Sequence, residues 1–266
     1  MKGPQLLQSH AGVLRTRVGA CWPGERAVFR GCDLHADLRH LSWVELYLFG
    51  ITGRRFSPAQ VELVNAIWVY TSYPDARLWN NRIAALAAST RSSANLGVSA
   101  ALAVSEATIY GGGAGLRAFG FLQRVRQRME QGDDLEATVH AELQERRIYG
   151  YGRPINSRDE RIPWLMDLAG RLQLDGGGHV KLAFAVERIL VARNPALRMN
   201  YAALHAALIA DMGLSAREYQ LLRIPTFLAG MAPCVVEAAA KPEGAVFPIP
   251  CEKFAYDGAE KRLWRR

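Results

Sequence analysis

The chain has 266 residues, half of them hydrophobic and 22% charged, and 33 Lys and Arg against 25 Asp and Glu give a formal net charge of +8. That is the balance of an ordinary globular protein, long enough for one large domain or for a core domain with a smaller one attached. No tract of eighteen consecutive apolar residues occurs, so no membrane span is expected. Arg15, Arg17, Glu25 and Arg26 interrupt the apolar residues of the first thirty, which argues against a signal peptide and makes the cytoplasm the expected compartment.

The predicted elements are almost all helices. Ser42 with Glu45 and Ser57 with Gln60 have capping-box spacing, the second with Pro58 at the first helical position. They open helices over about 43–49 and 58–71, separated by Gly50 and by Thr52-Gly53. Residues 81–108 are rich in Ala, Leu, Val and Ser with little charge, a composition for helices buried on most sides. Beyond Gly111-Gly112-Gly113, residues 116–129 form an amphipathic helix with arginines on its polar face. Asp133-Asp134 caps the next helix, which runs to about Arg146. Pro163 starts another, and Gly176-Gly177-Gly178 breaks the chain before a helix over 180–192 that Asn194-Pro195 stops. A third capping box, Ser215 with Glu218, divides a helix near 201–212 from one starting at 216. Few segments alternate with period two, so strand content is expected to be small.

The four cysteines, Cys21, Cys32, Cys234 and Cys251, form no C-x-x-C pair and lack zinc-ligand spacing, so they read as reduced structural thiols. The basic excess favours anionic ligands in general. The clusters at 117–128 and 261–266 read as a solvated helix face and a basic tail, because no nucleic-acid-binding motif accompanies them.

A set of glycine-rich corners and charged positions carries the most information: Ile109-Tyr110-Gly111-Gly112-Gly113-Ala114, Gly150-Tyr151-Gly152-Arg153, Asp159-Glu160-Arg161, Met199-Asn200-Tyr201, Leu222-Arg223-Ile224-Pro225, and Ile249-Pro250 with Tyr256-Asp257-Gly258. Earlier come Arg30-Gly31-Cys32-Asp33 and Thr52-Gly53. In order and spacing these motifs resemble the citrate synthase superfamily, and chain length and the C-terminal motifs resemble its short citryl-CoA lyases and the C-terminal module of ATP-citrate lyase. The resemblance implies a mainly α, two-domain homodimer. Its large domain would take residues 1–118 with 198–266 and its small domain 119–197, the two closing over a keto-acid and a CoA thioester. No tightly bound cofactor and no metal are implied, and the acyl-CoA is a substrate.

Transferred residue by residue, the resemblance keeps the scaffold and exchanges the chemistry. The aspartate that takes a proton from the thioester's methyl group is Asn200 here, and an amide has no proton to exchange in the usable range. The histidine that holds the keto-acid is Arg153, a permanent cation that binds anions but does not shuttle protons. Tyr110 occupies the place of the histidine before the glycine corner, where its hydroxyl either donates to an enolate-like oxygen or packs against Gly112 and Gly113. A further histidine of the lyase-like branch maps to Asn80, before Asn81. Two carboxylate-gripping arginines are kept as Arg161 and Arg223, suited to bidentate recognition. A third, assigned to the partner subunit, is Phe247 here, which argues against citrate itself as substrate.

His205, about one helical turn beyond Asn200, is the leading remaining acid–base candidate, with His179 and His140 behind it. None of the three sits in a motif-quality arrangement with Ser, Cys or a carboxylate, and each also reads as a solvated or core histidine. Glu187 and Asp211 read as ordinary helix residues. Three functional classes follow: an enzyme performing aldol- or Claisen-type chemistry on a carboxylated substrate and an acyl-CoA, a noncatalytic binding or regulatory subunit, and, on net charge alone, a nucleic-acid binder.

Overall fold

A computed structural model describes residues 3–12, 14–153, 158–245 and 249–260. It starts with a short helix, α1 (Pro4–His10), and an antiparallel sheet in the order β1 (Gly19–Trp22), β2 (Arg26–Phe29), β3 (Cys32–Asp33), with Ala20 opposite Val28 and Phe29 opposite Cys32. Helices follow: α2 (Trp43–Thr52), α3 (Pro58–Thr71), α4 (Trp79–Ser89), α5 (Ala94–Val104), α6 (Gly112–Glu130), α7 (Leu135–Glu145), α8 (Arg161–Arg171), α9 (Gly178–Arg193), α10 (Tyr201–Asp211), α11 (Ala216–Leu222) and α12 (Leu228–Ala239). The fold is mainly α, as expected.

The capping chemistry sets most helix starts. Ser42, Ser57 and Ser215 each accept from the backbone N–H three residues on, while Glu45, Gln60 and Glu218 reach back to the capping residue. Asp134 caps α7 through Ala137 N. Several boundaries differ from the sequence reading, among them the starts of α8 at Arg161 rather than Pro163 and of α9 at Gly178 rather than 180. α2 runs through Gly50 to Thr52, because Gly50 lies under the Phe29 ring and any Cβ there would strike it. α6 starts at Gly112, four residues earlier than its apolar period, since Gly113 lets the backbone close onto the carbonyl of Ala107. The small-residue stretch 81–108 is two helices, separated at 90–93 by a turn in which Arg91 has φ 58°.

The described chain forms two compact units, residues 3–72 with 106–227 and residues 73–105 with 228–260. In the first, α10 is the central element, with Tyr201 and every residue from Ala203 to Ala210 buried. A helix apolar on all sides is stable only when surrounded, and α6 and α9 pack against it. Phe119, Leu122, Val125, Val186 and Leu190 complete that core.

The second unit is built from α4, α5 and α12, with Ala85, Ala88, Cys234 and Ala238 at its centre. The expectation that residues 81–108 are buried on most sides holds for α4, but α5 buries only Gly97 and Ala101 within the chain. Leu96 on α5 and Val236 on α12 are exposed. One stretch, 216–239, has the length and mean hydropathy of a membrane span. It is broken by a 3₁₀ turn at Ile224–Phe227, and Tyr219 and Leu222 in its first part are buried.

Candidate functional site

The Gly150-Tyr151-Gly152 corner and the entry to α10 are laid side by side. Tyr151 bridges Met199, Gly152 N donates to Arg198 O at 2.6 Å, and Asn200 N donates to Gly150 O at 2.9 Å. Gly150, at φ 93°, leaves no room for a side chain, since a Cβ would lie 2.7 Å from that of Ala203 and 3.0 Å from that of Ala118. The sequence motif is therefore a packing requirement that brings residue 200 against residue 152.

Asn200 is held there through both amide atoms. Its Oδ1 accepts from Ala202 N at 2.9 Å as the N-cap of α10, and its Nδ2 donates to Gly152 O at 2.7 Å. This arrangement depends on the amide, because a carboxylate at the same place would set two acceptors against each other.

Asp159 anchors the arginines. Its carboxyl group, with 1% of the side chain exposed, accepts a two-point contact from Arg161 (Nε and Nη2, both 2.8 Å) and also the backbone N–H of Tyr201 at 2.9 Å. Arg153 Nε lies 3.9 Å from the same carboxylate, while its Nη1 donates to Glu160 and to Arg158 O. Burial pushes the Asp159 pKa up, but Arg161, the Tyr201 N–H and Arg153 together bring it below the ordinary carboxylate value. Arg161 then lies over the Tyr201 ring, 4.3 Å from its centroid.

Tyr201 touches His205 edge-on at 5.1 Å, and His205 links to the second arginine. Arg223 Nη1 donates to His205 Nε2 at 2.7 Å. A guanidinium only donates, so Nε2 carries no proton and the ring proton sits on Nδ1, facing the Tyr219 hydroxyl at 2.9 Å. Burial first, then the charges of Arg223 and Arg161, hold the His205 pKa well below the imidazole norm. His205 is thus a buried neutral acceptor that positions Arg223, and it does not open onto a cleft as its spacing from Asn200 suggested. Gly115 of α6 closes over this group. A Cβ there would lie 2.5 Å from Arg223 Nη1, 2.7 Å from the Tyr219 hydroxyl and 3.0 Å from His205.

Arg153, Arg161 and Arg223 therefore lie along one continuous run of contacts: Arg153–Asp159–Arg161–Tyr201–His205–Arg223. Arg223 differs from the other two in that no carboxylate pairs with it among the described residues, and its Nε is buried without a hydrogen-bond partner.

The remaining candidates fall elsewhere. Tyr110 is partly exposed beside the start of α6, at φ 53°. Asn80 belongs to the second unit, where its Nδ2 donates to Ser105 Oγ at 3.2 Å and its Oδ1 accepts from Asn81 N. His140 lies on the half-exposed face of α7 beside Glu136. Phe247 and the basic tail 261–266 lie outside the described residues. Two residues taken as ordinary are structural anchors: Glu187 accepts from Met199 N, and Asp211 from the N–H groups of His179 and Val180 and from His179 Nδ1. The carboxylate partner of His179 is 32 positions away, beyond any local spacing. Tyr219 was also missed; its distance of one helical turn from Arg223 was the available signal. Among the described residues no group of three or more His, Cys, Asp or Glu is arranged to hold a metal.

A family model described as citrate synthase, C-terminal domain, matches residues 24–240. No curated protein sequence matches the chain. Among solved structures, citryl-CoA lyase from Hydrogenobacter thermophilus superposes with a TM-score of 0.83 at 22% identity, over 95% of this chain and 98% of that one. ATP citrate lyase from Methanothrix soehngenii, in complex with citrate and coenzyme A, gives 0.76 at 15% identity over 98% of this chain and 45% of the larger protein. Citrate synthase from Thermoplasma acidophilum, bound to carboxymethyl coenzyme A and oxaloacetate, gives 0.67 at 17% identity, covering 85% and 59%. With the matched segment spanning most of its length, the chain belongs to the citrate synthase family.

Proposed function

We propose that the protein makes or breaks a carbon–carbon bond between a carboxylated keto-acid and an acyl-CoA thioester, by aldol- or Claisen-type chemistry, as a lyase or synthase distinct from ordinary citrate synthase. The observation that carries this reading is Arg223. Its guanidinium is fixed by His205 and Tyr219, lacks a carboxylate partner among the described residues, and has a buried Nε with no partner. A half-buried cation whose Nε is cut off from water gains from a counter-ion, and a substrate carboxylate supplies that charge. Arg161 and Arg153 lie along the same run of contacts, paired with Asp159 and Glu160 respectively. The solved relatives' ligands, citrate and coenzyme A in one case and oxaloacetate with carboxymethyl coenzyme A in another, are of this chemical kind.

In the bond-breaking direction the alcohol of the joined substrate loses its proton as the carbon–carbon bond breaks, leaving a keto-acid and the enolate of the acyl-CoA, which then takes up a proton. Arg161 and Arg223 hold the keto-acid's carboxylates, and the Tyr110 hydroxyl is the proposed donor to the enolate oxygen. Asn200 and Arg153 orient without exchanging protons. The proposal includes a homodimer joined through α4, α5 and α12, whose exposed apolar residues need cover. It also includes movement of residues 119–197 as a domain, no tightly bound cofactor and a cytoplasmic location. A monomer by light scattering at micromolar concentration would remove the dimer.

A second reading, a noncatalytic binding or regulatory subunit, is favoured by one observation: both atoms of the Asn200 amide are spent on the fold. Thermal denaturation with CoA thioesters and dicarboxylates tests the shared part of both readings. Ligand should raise the midpoint, and the gain should vanish in Arg161→Ala and Arg223→Ala. Product formation by mass spectrometry separates enzyme from binder. The absence of any stabilisation by any such ligand would overturn both.

A further inference from the structure

At the opposite end of the α9–α10 pair lies a second polar site. Asn194 and Asn200 flank the end that carries the candidate site, whereas His179 and Asp211 occupy the other. By helix rise, α9 separates His179 from Asn194 by about 22 Å, and α10 separates Asn200 from Asp211 by about 16 Å.

Here Asp211 Oδ1 accepts from His179 N and from His179 Nδ1, each at 2.8 Å, and Oδ2 accepts from Val180 N at 3.0 Å. Burial raises the Asp211 pKa, but the His179 ring and the two backbone N–H groups outweigh it and bring it below the ordinary value, so this carboxylate only accepts. The Nδ1 of His179 is therefore its donor, and Nε2 is directed away, buried, with no hydrogen-bond partner among the described residues. His179 lines a cavity of about 380 Å³ with Gln123, Arg124, Arg126, Gln127 and Glu130, all five from one face of α6.

Two arginines and two amides thus line the same cavity as this imidazole. Arg124 spends Nε and Nη2 on Glu142, and Arg126 spends Nε on Glu130. The Nη1 of Arg126 rests against Gly178, in the space a Cβ there would fill, and Gly177 leaves the matching space for Asp211. Arg126 and His179 therefore line one volume.

We propose that this cavity binds inorganic phosphate as its monohydrogen anion, which carries one P–OH. The guanidinium of Arg126 and the amides of Gln123 and Gln127 donate to its oxygens, and Nε2 of His179 accepts from its P–OH. Inorganic phosphate fits better than a carboxylate because its monohydrogen anion still carries a P–OH, whereas a monoester, with its second ionisation near pH 6, has mostly lost its last proton at neutral pH. Glu130 opposes the anion, and its pairing with Arg126 Nε offsets that repulsion.

Isothermal titration calorimetry on the full chain with inorganic phosphate, glycerol 3-phosphate and sulfate tests this. We expect inorganic phosphate to bind at pH 7, and glycerol 3-phosphate and sulfate each to bind at least about tenfold more weakly, because the first has mostly lost its P–OH and the second has none to offer Nε2. Arg126→Gln and His179→Gln should each weaken phosphate tenfold or more, with circular dichroism verifying that they fold, while Arg223→Ala leaves binding unchanged. If His179→Gln loosens the end of α9, Arg126→Gln, which touches no capping contact, still decides the outcome. No binding, equal sulfate binding, or loss only in Arg223→Ala would overturn the proposal.

Discussion

Arg223 Nη1 and His205 Nε2 meet at 2.7 Å, a cation held by a neutral imidazole that burial keeps from protonating. This pairing has a pH signature. The unfolded histidine takes its proton near pH 6.5, whereas the folded one does so only well below that. Below about pH 6.5 the unfolded chain binds the extra proton, so stability contributed by His205 is present above the unfolded pKa and is lost as pH falls through it, at up to about 1.4 kcal/mol per pH unit. His205→Gln keeps an acceptor for Arg223 but cannot titrate. In urea denaturation the stability gap between wild type and variant should be largest at pH 7 and shrink towards pH 5. A gap independent of pH would mean that His205 is charged in the folded protein.

Gly115 should tolerate no side chain. A methyl group there would press on Arg223 Nη1, the Tyr219 hydroxyl and the His205 ring together, all held by mutual hydrogen bonds. Overpacking of this kind costs about 1–3 kcal/mol. Gly115→Ala should lower stability by that amount and weaken carboxylate binding, both measurable by denaturation with and without a dicarboxylate. A neutral Gly115→Ala would show that the cluster can shift without loss.

The sequence foretold the helical class through local chemistry, since three capping boxes, the Asp134 cap and the glycine corners act over four or five residues. Through the family pattern it pointed to Arg161 and Arg223, which the structure links through Tyr201 and His205. It did not foretell His179 with Asp211, or Glu187 with Met199 N, because those contacts join α9 to α10 and to the turn that precedes it, which only packing brings into register. The neutral state of His205 was equally hidden. Its spacing from Asn200 puts it on the same helix, but the closing of α6 over it, through Gly115, decides that it faces an arginine rather than solvent.

Asn200→Asp is the change that would restore a carboxylate base, and the structure forecasts that alone it will not restore citrate synthase activity. The aspartate keeps the N-cap contact with Ala202 and gains slightly from the positive end of α10. It loses the donor to Gly152 O and places an anionic oxygen about where Nδ2 now stands, 2.7 Å from that carbonyl. Leaving a carbonyl unpaired against a charge costs about 1–3 kcal/mol. The expected result is lowered stability and turnover below about 1 s⁻¹ with acetyl-CoA and oxaloacetate, the low end of ordinary enzyme rates. Asn200→Asp with Arg153→His is the fuller test of whether the scaffold still supports that reaction.

Asp159 is the pivot on which the arginine run depends. Its buried carboxylate holds Arg161 at two points, lies near Arg153 and receives the first N–H of α10 from Tyr201. Asp159→Asn keeps the volume but removes the charge, leaving Arg161 beside Tyr201 without its counter-ion. Breaking one side of a buried pair costs about 3–5 kcal/mol, and the 19% exposure of the Arg161 side chain places the expected loss at the lower end of that range. The sign for binding is opposite. With the competing carboxylate gone, Arg161 is released to a ligand, so the variant should be less stable in denaturation yet gain more in thermal midpoint from a saturating dicarboxylate than wild type does. If ligand stabilisation falls along with intrinsic stability, Asp159 holds Arg161 in its binding position rather than competing with the substrate for it.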